Sequence, residues 1–189
     1  MLYHNKTKNR WSLSMSEESA LLRFMPDGHD HKRCMDEAIG AATAVCAERS
    51  LRLTPLRRRV LEMIWGQHEP VLAYDLLDRL RIERSKAAPA TVYRALDFLL
   101  ANGLIHRIES LNAYVGCGQP RVPHMGQFLI CADCNAIAEL HDPHISELVT
   151  RKAGRIGFNV DRQTIEVSGQ CPDCRQAVST DEDAGPRKA

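Results

Sequence analysis

The stretch "PATVYRALDFLLANGLIHRIESLNAYVGC" runs from Pro89 to Cys117. It states the architecture of the first half of the chain. Pro89 suits the first helical position, where no N–H is needed. Val92, Leu96 and Leu99 recur at helical spacing, and Gly103 stands where a left-handed residue ends a helix. From Leu104 the period falls to two. "LIHRIES" and "AYVGC" alternate around a turn at Leu111-Asn112, the pattern of a β-hairpin.

Helices precede this unit. "MDEAIGAATAVCAERS" from Met35 reads as a first helix. "TPLRRRVLEMIW" reads as a second, with Thr54 as N-cap, Pro55 at the first helical position, and Leu56, Val60, Leu61 and Ile64 as its apolar stripe. "AYDLLDRLRIE" is a third, with Leu76, Leu77 and Leu80 inward. Three or four short helices followed by a hairpin is the order of a winged helix-turn-helix, here over residues 35–115.

Beyond the hairpin, "GCGQPRVPHMG" is dense in proline and glycine, which marks a hinge over residues 116–125. From Gln127 a small mixed unit follows. "QFLI" and "AIAEL" are strand-like, "PHISELVTRKAGRIG" is helical, and "NVDRQTIEVSG" alternates like a strand. A unit of about 50 residues has a marginal core, so residues 126–176 need metal, dimerisation or both. The expected fold class is α+β: an N-terminal winged helix-turn-helix DNA-binding domain and a small C-terminal α/β dimerisation domain with a structural zinc held by four cysteines. Residues 1–34 read as a mobile N-terminal tail, with Met15 and Met35 open as alternative starts, and residues 177–189 as a polar tail.

Composition sets limits. The chain has 189 residues, 44% apolar and 26% charged, enough for one ordinary domain or two small ones. No apolar run reaches the about 18 residues of a membrane span. Lys6, Lys8 and Arg10 are not followed by an apolar core, so no secretory signal is expected and the cytoplasm is the default location. The net charge is +1 and shifts toward acid in the C-terminal half. DNA binding must therefore rest on local basic patches.

There are seven cysteines. Cys131-x-x-Cys134 is answered by Cys171-x-x-Cys174, while Cys34, Cys46 and Cys117 stand alone. Without a signal peptide, paired C-x-x-C reads as metal before disulfide, and redox disulfides are the alternative. Four thiolates suit tetrahedral Zn²⁺. The gap between the pairs exceeds the about 15–20 residues of a compact zinc ribbon. It leaves room for a strand–helix–strand insert tied at both ends by the metal. Such a closed site has no open coordination position and argues for structure, not catalysis.

A second set gathers around the hinge. His106 lies on the first hairpin strand, Cys117 follows the second, His124 is at the hinge's end, and Glu139 is at the end of the second short strand of the C-terminal unit. Nitrogen, sulfur, nitrogen and oxygen are all acceptable to zinc. A metal held by all four would fix the angle between the two domains. Each residue also has an ordinary reading: His106 on the wing surface, Cys117 as a small buried group, Glu139 as a solvated strand end.

At this point the chain resembles a known family. "LTPLRRRVLEMI", "APATVYRALDFLLANGLIHRIESLNAYVGC", "FLICADCNAIAEL" and "CPDC" are similar to the ferric uptake regulator (Fur) superfamily of metal-dependent repressors, over about residues 35–176. Within it the chain looks like the zinc uptake regulator (Zur) branch. Iron-type members carry a His-rich run where this chain has "PRVPHMGQF", and Cys117 is typical of zinc-type members. The resemblance implies that Cys131, Cys134, Cys171 and Cys174 hold a structural zinc. It implies that His106, Cys117, His124 and Glu139 hold a regulatory one, giving two Zn²⁺ per monomer. It further implies a homodimer that binds a pseudo-palindromic double-stranded DNA operator and represses zinc-uptake genes, without catalysis, membrane contact or another small-molecule substrate.

The reading helix of such a fold presents its N-terminal residues to base edges. Here these are Ala90, Thr91, Tyr93 and Arg94, and Arg94 suits a bidentate bond to guanine. Tyr74, Arg52, Arg57, Arg58 and Lys86 are candidate backbone contacts, which position without reading sequence. A solubilising helix face is the plain alternative. Cys46 reads as a buried thiol. His29, His31 and Cys34 fall in the expected tail. His141 and His144 read as surface histidines, with an additional metal site as the other option, and Asp78 and Arg81 as a surface pair. The competing functions are a sister sensor of iron, manganese, nickel or peroxide, a zinc hydrolase using Glu139 as base, and a metal-buffering module. The hinge thiol weighs against the first, no nucleophile motif supports the second, and the third leaves the winged helix unexplained.

Overall fold

The computed structural model describes residue 24 and residues 30–67, 69–122 and 125–182, with side chains from 178 onward excepted. Helix α1 spans His31–Glu48, α2 Pro55–Trp65, α3 Ala73–Glu83 and α4 Pro89–Ala101. Strand β1 is Val71–Leu72, β2 Ile105–Ile108 and β3 Ala113–Gly116. Thr54 caps α2 by accepting the Arg57 N–H, and proline opens both α2 and α4. Gly103 adopts φ +66°, which ends α4 and turns the chain into β2.

Helix α1 begins about one turn before the expected Met35. The Asp30 side chain accepts the Arg33 N–H, a cap that brings His31–Cys34 into the helix and out of the expected tail. Strand β1 was not legible in the sequence, because two residues carry no periodicity. It pairs antiparallel with β3, giving a wing sheet of order β1-β3-β2. The wing turn is closed by the Asn112 N–H on the Glu109 carbonyl at 3.2 Å, with Asn112 at φ 48°.

The expected stripes form the core. Val60, Leu61, Ile64, Leu76, Leu80, Leu96, Leu99 and Leu104 are fully buried, while Leu56 is only partly so.

The second unit contains β4 (Gly126–Cys131), β5 (Ile137–Glu139), α5 (Pro143–Gly154), β6 (Thr164–Gly169) and α6 (Pro172–Glu182). Its sheet order is β5-β4-β6. Strands β4 and β6 are parallel, and α5 supplies the crossover that a parallel pair requires. Its small core joins Phe128 and Ile130 to Ile108 of the wing, so the core straddles both units. Helix α6 runs past the expected boundary at 176 into the first residues of the expected polar tail. Pro172 opens a run without glycine or further proline up to Gly185, and polar composition alone does not stop a helix. No described helix is long and apolar enough to cross a membrane.

Candidate metal centres and nucleic-acid interface

The first centre closes the C-terminal sheet at one end. Cys131 is the last residue of β4, and a tight loop follows. The Asn135 N–H bonds the Cys131 carbonyl at 3.0 Å, and the Cys131 N–H bonds the Ala136 carbonyl at 2.9 Å. Asn135 takes φ 58°, a conformation asparagine tolerates. This loop returns Cys134 toward Cys171, which follows β6, and Cys174, in the first turn of α6. The four sulfurs lie within 4.8 Å of one another. Cys134 Sγ and Cys171 Sγ are 3.8 Å apart. Two thiolates on one tetrahedral zinc, with bonds of about 2.3 Å, stand about 3.8 Å apart.

Backbone donors prepare the sulfurs for metal. The Cys171 N–H points at Cys131 Sγ at 3.3 Å, and the Cys174 N–H at Cys171 Sγ at 3.4 Å. The Cys171 N–H, followed by that of Cys134, brings the Cys131 thiol down to about 6. Hydrogen bonds with Cys171 and Cys134 push Cys174 the other way. Cys131 is thus favoured as the thiolate, and its negative charge also opposes ionisation of Cys174. Four soft donors at tetrahedral spacing fit a structural zinc, as the sequence led one to expect.

The second centre lies where wing and C-terminal sheet meet. His106 comes from β2, Cys117 directly follows β3, and Glu139 ends β5. One ligand atom from each lies within 4.8 Å of the others. His106 Nε2 is 2.9 Å from Glu139 Oε1. Glu139 Oε2 accepts the Gly118 N–H at 3.3 Å. The Cys117 N–H is tied to the Leu104 carbonyl at 3.2 Å. Glu139 is 6% exposed, so it is no solvated strand end, and Cys117 is as buried as expected. The fourth expected ligand, His124, lies outside the described residues.

Burial alone would lower the basicity of His106. The Cys117 and Glu139 side chains beside it outweigh that and raise it to about 9. The site is therefore built for positive charge, whether a proton or a metal cation.

Two glycines make the approach possible. A Cβ on Gly116 would lie 2.1 Å from the Trp65 indole, and one on Gly126 would lie 2.7 Å from the Phe128 ring. Phe128 in turn meets His106 edge-on, with ring centroids 5.2 Å apart.

Among the described residues these are the two groups of three or more ligand-type side chains within metal-holding distance. His141 and His144 join neither. The His144 ring instead bonds Asp142 Oδ1 at 3.1 Å near the start of α5. His31 and Cys34 lie in the first turn of α1, His29 is outside the described residues, and Cys46 is buried in the core.

The residues expected to read bases lie on α4. Ala90, Tyr93 and Arg94 are exposed and Thr91 is half-buried, while Val92, Ala95 and Leu96 face the core. Tyr74 stands on the first turn of α3, 68% exposed, and Arg52 and Lys86 are exposed. Arg57 is engaged by the fold. Its guanidinium stacks 3.6 Å over the Phe98 ring and donates to the Arg52 carbonyl. Arg58 pairs with Glu62 at 2.9 Å, and Arg81 with Asp78 at 3.4 Å.

A winged helix whose wing meets a four-cysteine α/β unit through a buried His–Cys–Glu cluster defines a class of two-domain proteins with metal-type centres. The family model for the ferric uptake regulator family matches residues 48–168, and the chain belongs to that family. The zinc uptake regulation protein of Escherichia coli K12 is 40% identical over 146 residues, covering 76% of this chain and 84% of that protein. Its namesake in Mycobacterium tuberculosis H37Rv is 30% identical over 106 residues, covering 54% and 78%. A solved zinc uptake regulator complexed with zinc and DNA is similar at TM-score 0.73 and 38% identity, over 77% of this chain and 97% of that one. The holo form of XcZur is similar at TM-score 0.70 and 44% identity, over 75% and 99%.

Proposed function

We propose that this chain is a zinc-sensing, DNA-binding transcriptional repressor of zinc-uptake genes. The observation that carries the reading is the cluster of His106, Cys117 and Glu139. Its members come from the wing, the hinge and the C-terminal sheet, so anything they hold together also sets the angle between the domains. The relatives named for zinc uptake supply the choice of metal. The buried thiol agrees, since softer donors suit zinc better than manganese or ferrous iron.

In this reading each monomer takes two zinc ions, one structural at the four cysteines and one regulatory at His106, Cys117, His124 and Glu139. Bound metal would supply a fixed positive charge holding donors of both domains together. The protein does the rest. His106 would bind through its ring nitrogen once its proton is lost, Glu139 accepts the Gly118 N–H, and β2 would be held against the C-terminal sheet. Helix α4 packs with the wing, so its orientation would follow, which would set the spacing between two reading helices in a dimer. Half-sites about one helical turn apart accept only one such spacing.

The dimer would form through the C-terminal unit. Helix α5 buries no residue within the chain, and Leu148, Val149, Ile156, Phe158 and Val167 are exposed. Strand β6 is an edge strand, with one side open to pairing. A second copy covers both features. Ala90, Thr91, Tyr93 and Arg94 would read bases, and Tyr74, Arg52, Arg57, Arg58 and Lys86 would contact the backbone. A regulator of this kind works in the cytoplasm. Operator binding measured across buffered free zinc tests the reading. Binding that rises with occupancy of a second zinc supports it, and zinc-independent binding contradicts it.

A further inference from the structure

The regulatory cluster is not the only link between wing and C-terminal sheet. Glu166, in the middle of β6, reaches across to the turn at the tip of the wing. Its Oε1 accepts the Glu109 N–H at 2.7 Å, and its Oε2 accepts the Ser110 N–H at 3.1 Å. Two successive turn N–H groups on one carboxylate form a charge-assisted clamp between residues more than fifty positions apart. Arg162, just before β6, reaches Glu109 Oε1 at 3.5 Å and reinforces the same contact.

Register makes this clamp informative. Phe128 on β4 pairs with Glu139 on one side and with Glu166 on the other. Residues paired across a sheet share a face. One row of the sheet therefore sends two carboxylates toward the same wing, with Phe128 between them. Glu139 meets the strand at His106, and Glu166 meets the turn that follows it. Two grips along one hairpin fix its direction, where one grip leaves a rotation free. Ile108, Phe128 and Ile130 fill the space between.

We propose that Glu166 is a positioning residue for the zinc response: its clamp on the wing turn holds the two domains in the orientation that assembles the His106–Cys117–Glu139 centre. The proposal rests on reading that cluster as the regulatory centre. The clamp consists wholly of protein groups and joins the wing turn to β6, so it favours this orientation of the two domains. Whatever favours the orientation raises the affinity of a centre that exists only there. Glu166 thus tunes the zinc set point from the far end of the hairpin.

The test uses full-length protein with the four-cysteine site filled, titrated against a zinc chelator of known affinity. Glu166→Gln replaces one acceptor with a donor facing the turn. It should weaken second-site zinc binding about tenfold. The zinc at the four cysteines and the circular dichroism should stay as in the wild type. Ser110→Pro removes one donor from the other side, at a turn position that favours proline. It should act in the same direction, and adding it to Glu166→Gln should cost little more. It also serves if Glu166→Gln folds poorly. Second-site affinities within about twofold of wild type for both variants overturn the proposal, since coupling of this kind is at least several-fold. The titration contains no DNA, so its outcome for the clamp is independent of whether the protein represses transcription.

Discussion

His106 Nε2 lies 2.9 Å from Glu139 Oε1 across the junction of two domains. The pair is largely buried, belongs to different sheets, and has the Cys117 sulfur beside it. The Glu139 carboxylate and the Cys117 side chain favour a proton on His106. In the proposed function the same donors would hold a zinc ion, so proton and zinc would compete for one site.

The competition predicts a pH signature. The folded-state value of His106 is raised from 6.5 to about 9. Its stabilising contribution is complete below about pH 6.5 and is lost as pH rises through about 9. Protein with the four-cysteine site filled and the second site empty should lose urea resistance over that window. The slope should be absent in His106→Ala and suppressed by saturating zinc, which displaces the proton. Urea midpoints at half-unit steps of pH measure this.

Gly116 predicts a steric effect at a distance from any ligand. Gly116→Ala drives a methyl group into the Trp65 indole. The expected cost is about 1–3 kcal/mol of stability. Cys117 is the next residue, so second-site zinc affinity should fall as well. Thermal unfolding and chelator competition on the same sample read both effects.

Cys131→Ser should behave unlike any variant of the second centre. It removes the sulfur that the Cys171 N–H faces and opens the sheet at the joint between β4 and β6. The variant should lose its tightly held zinc and scatter light as a monomer or aggregate. A stable dimer would contradict the structural role.

Arg94→Ala should weaken operator binding by about 1–3 kcal/mol and relax the preference at one base pair of each half-site. Arg57→Ala should act differently, because Arg57 packs on Phe98. It should lower stability as well as DNA affinity. Binding curves on single-base operator variants, paired with melting curves, separate the two.

Much of this architecture was legible in the residues. The helix–hairpin run from Pro89 to Cys117 and the two C-x-x-C pairs state their own geometry, because period and spacing are local properties. Other features were hidden because they depend on contacts far apart in the chain. Strand β1 is too short to show a period. Helix α6 has the polar composition of a tail. Glu166 sits in "TIEVSG" as an ordinary polar residue of an alternating strand, and only the register with Phe128 reveals its reach to the wing turn. The convergence of His106, Cys117 and Glu139, and the burial of Glu139, are also properties of the fold that spacing alone does not give.

Occupancy of the hinge cluster, apart from the four-cysteine site, is what should control DNA binding. The direct measurement is operator affinity across buffered free zinc for the wild type and Cys117→Ser, with metal content per monomer determined on the same samples. The wild type should bind two zinc ions and gain operator affinity as the second loads. Cys117→Ser should keep one zinc, stay folded and dimeric, and show no zinc-dependent gain. Equal, zinc-responsive operator affinity in both proteins would rule out the hinge cluster as the sensor.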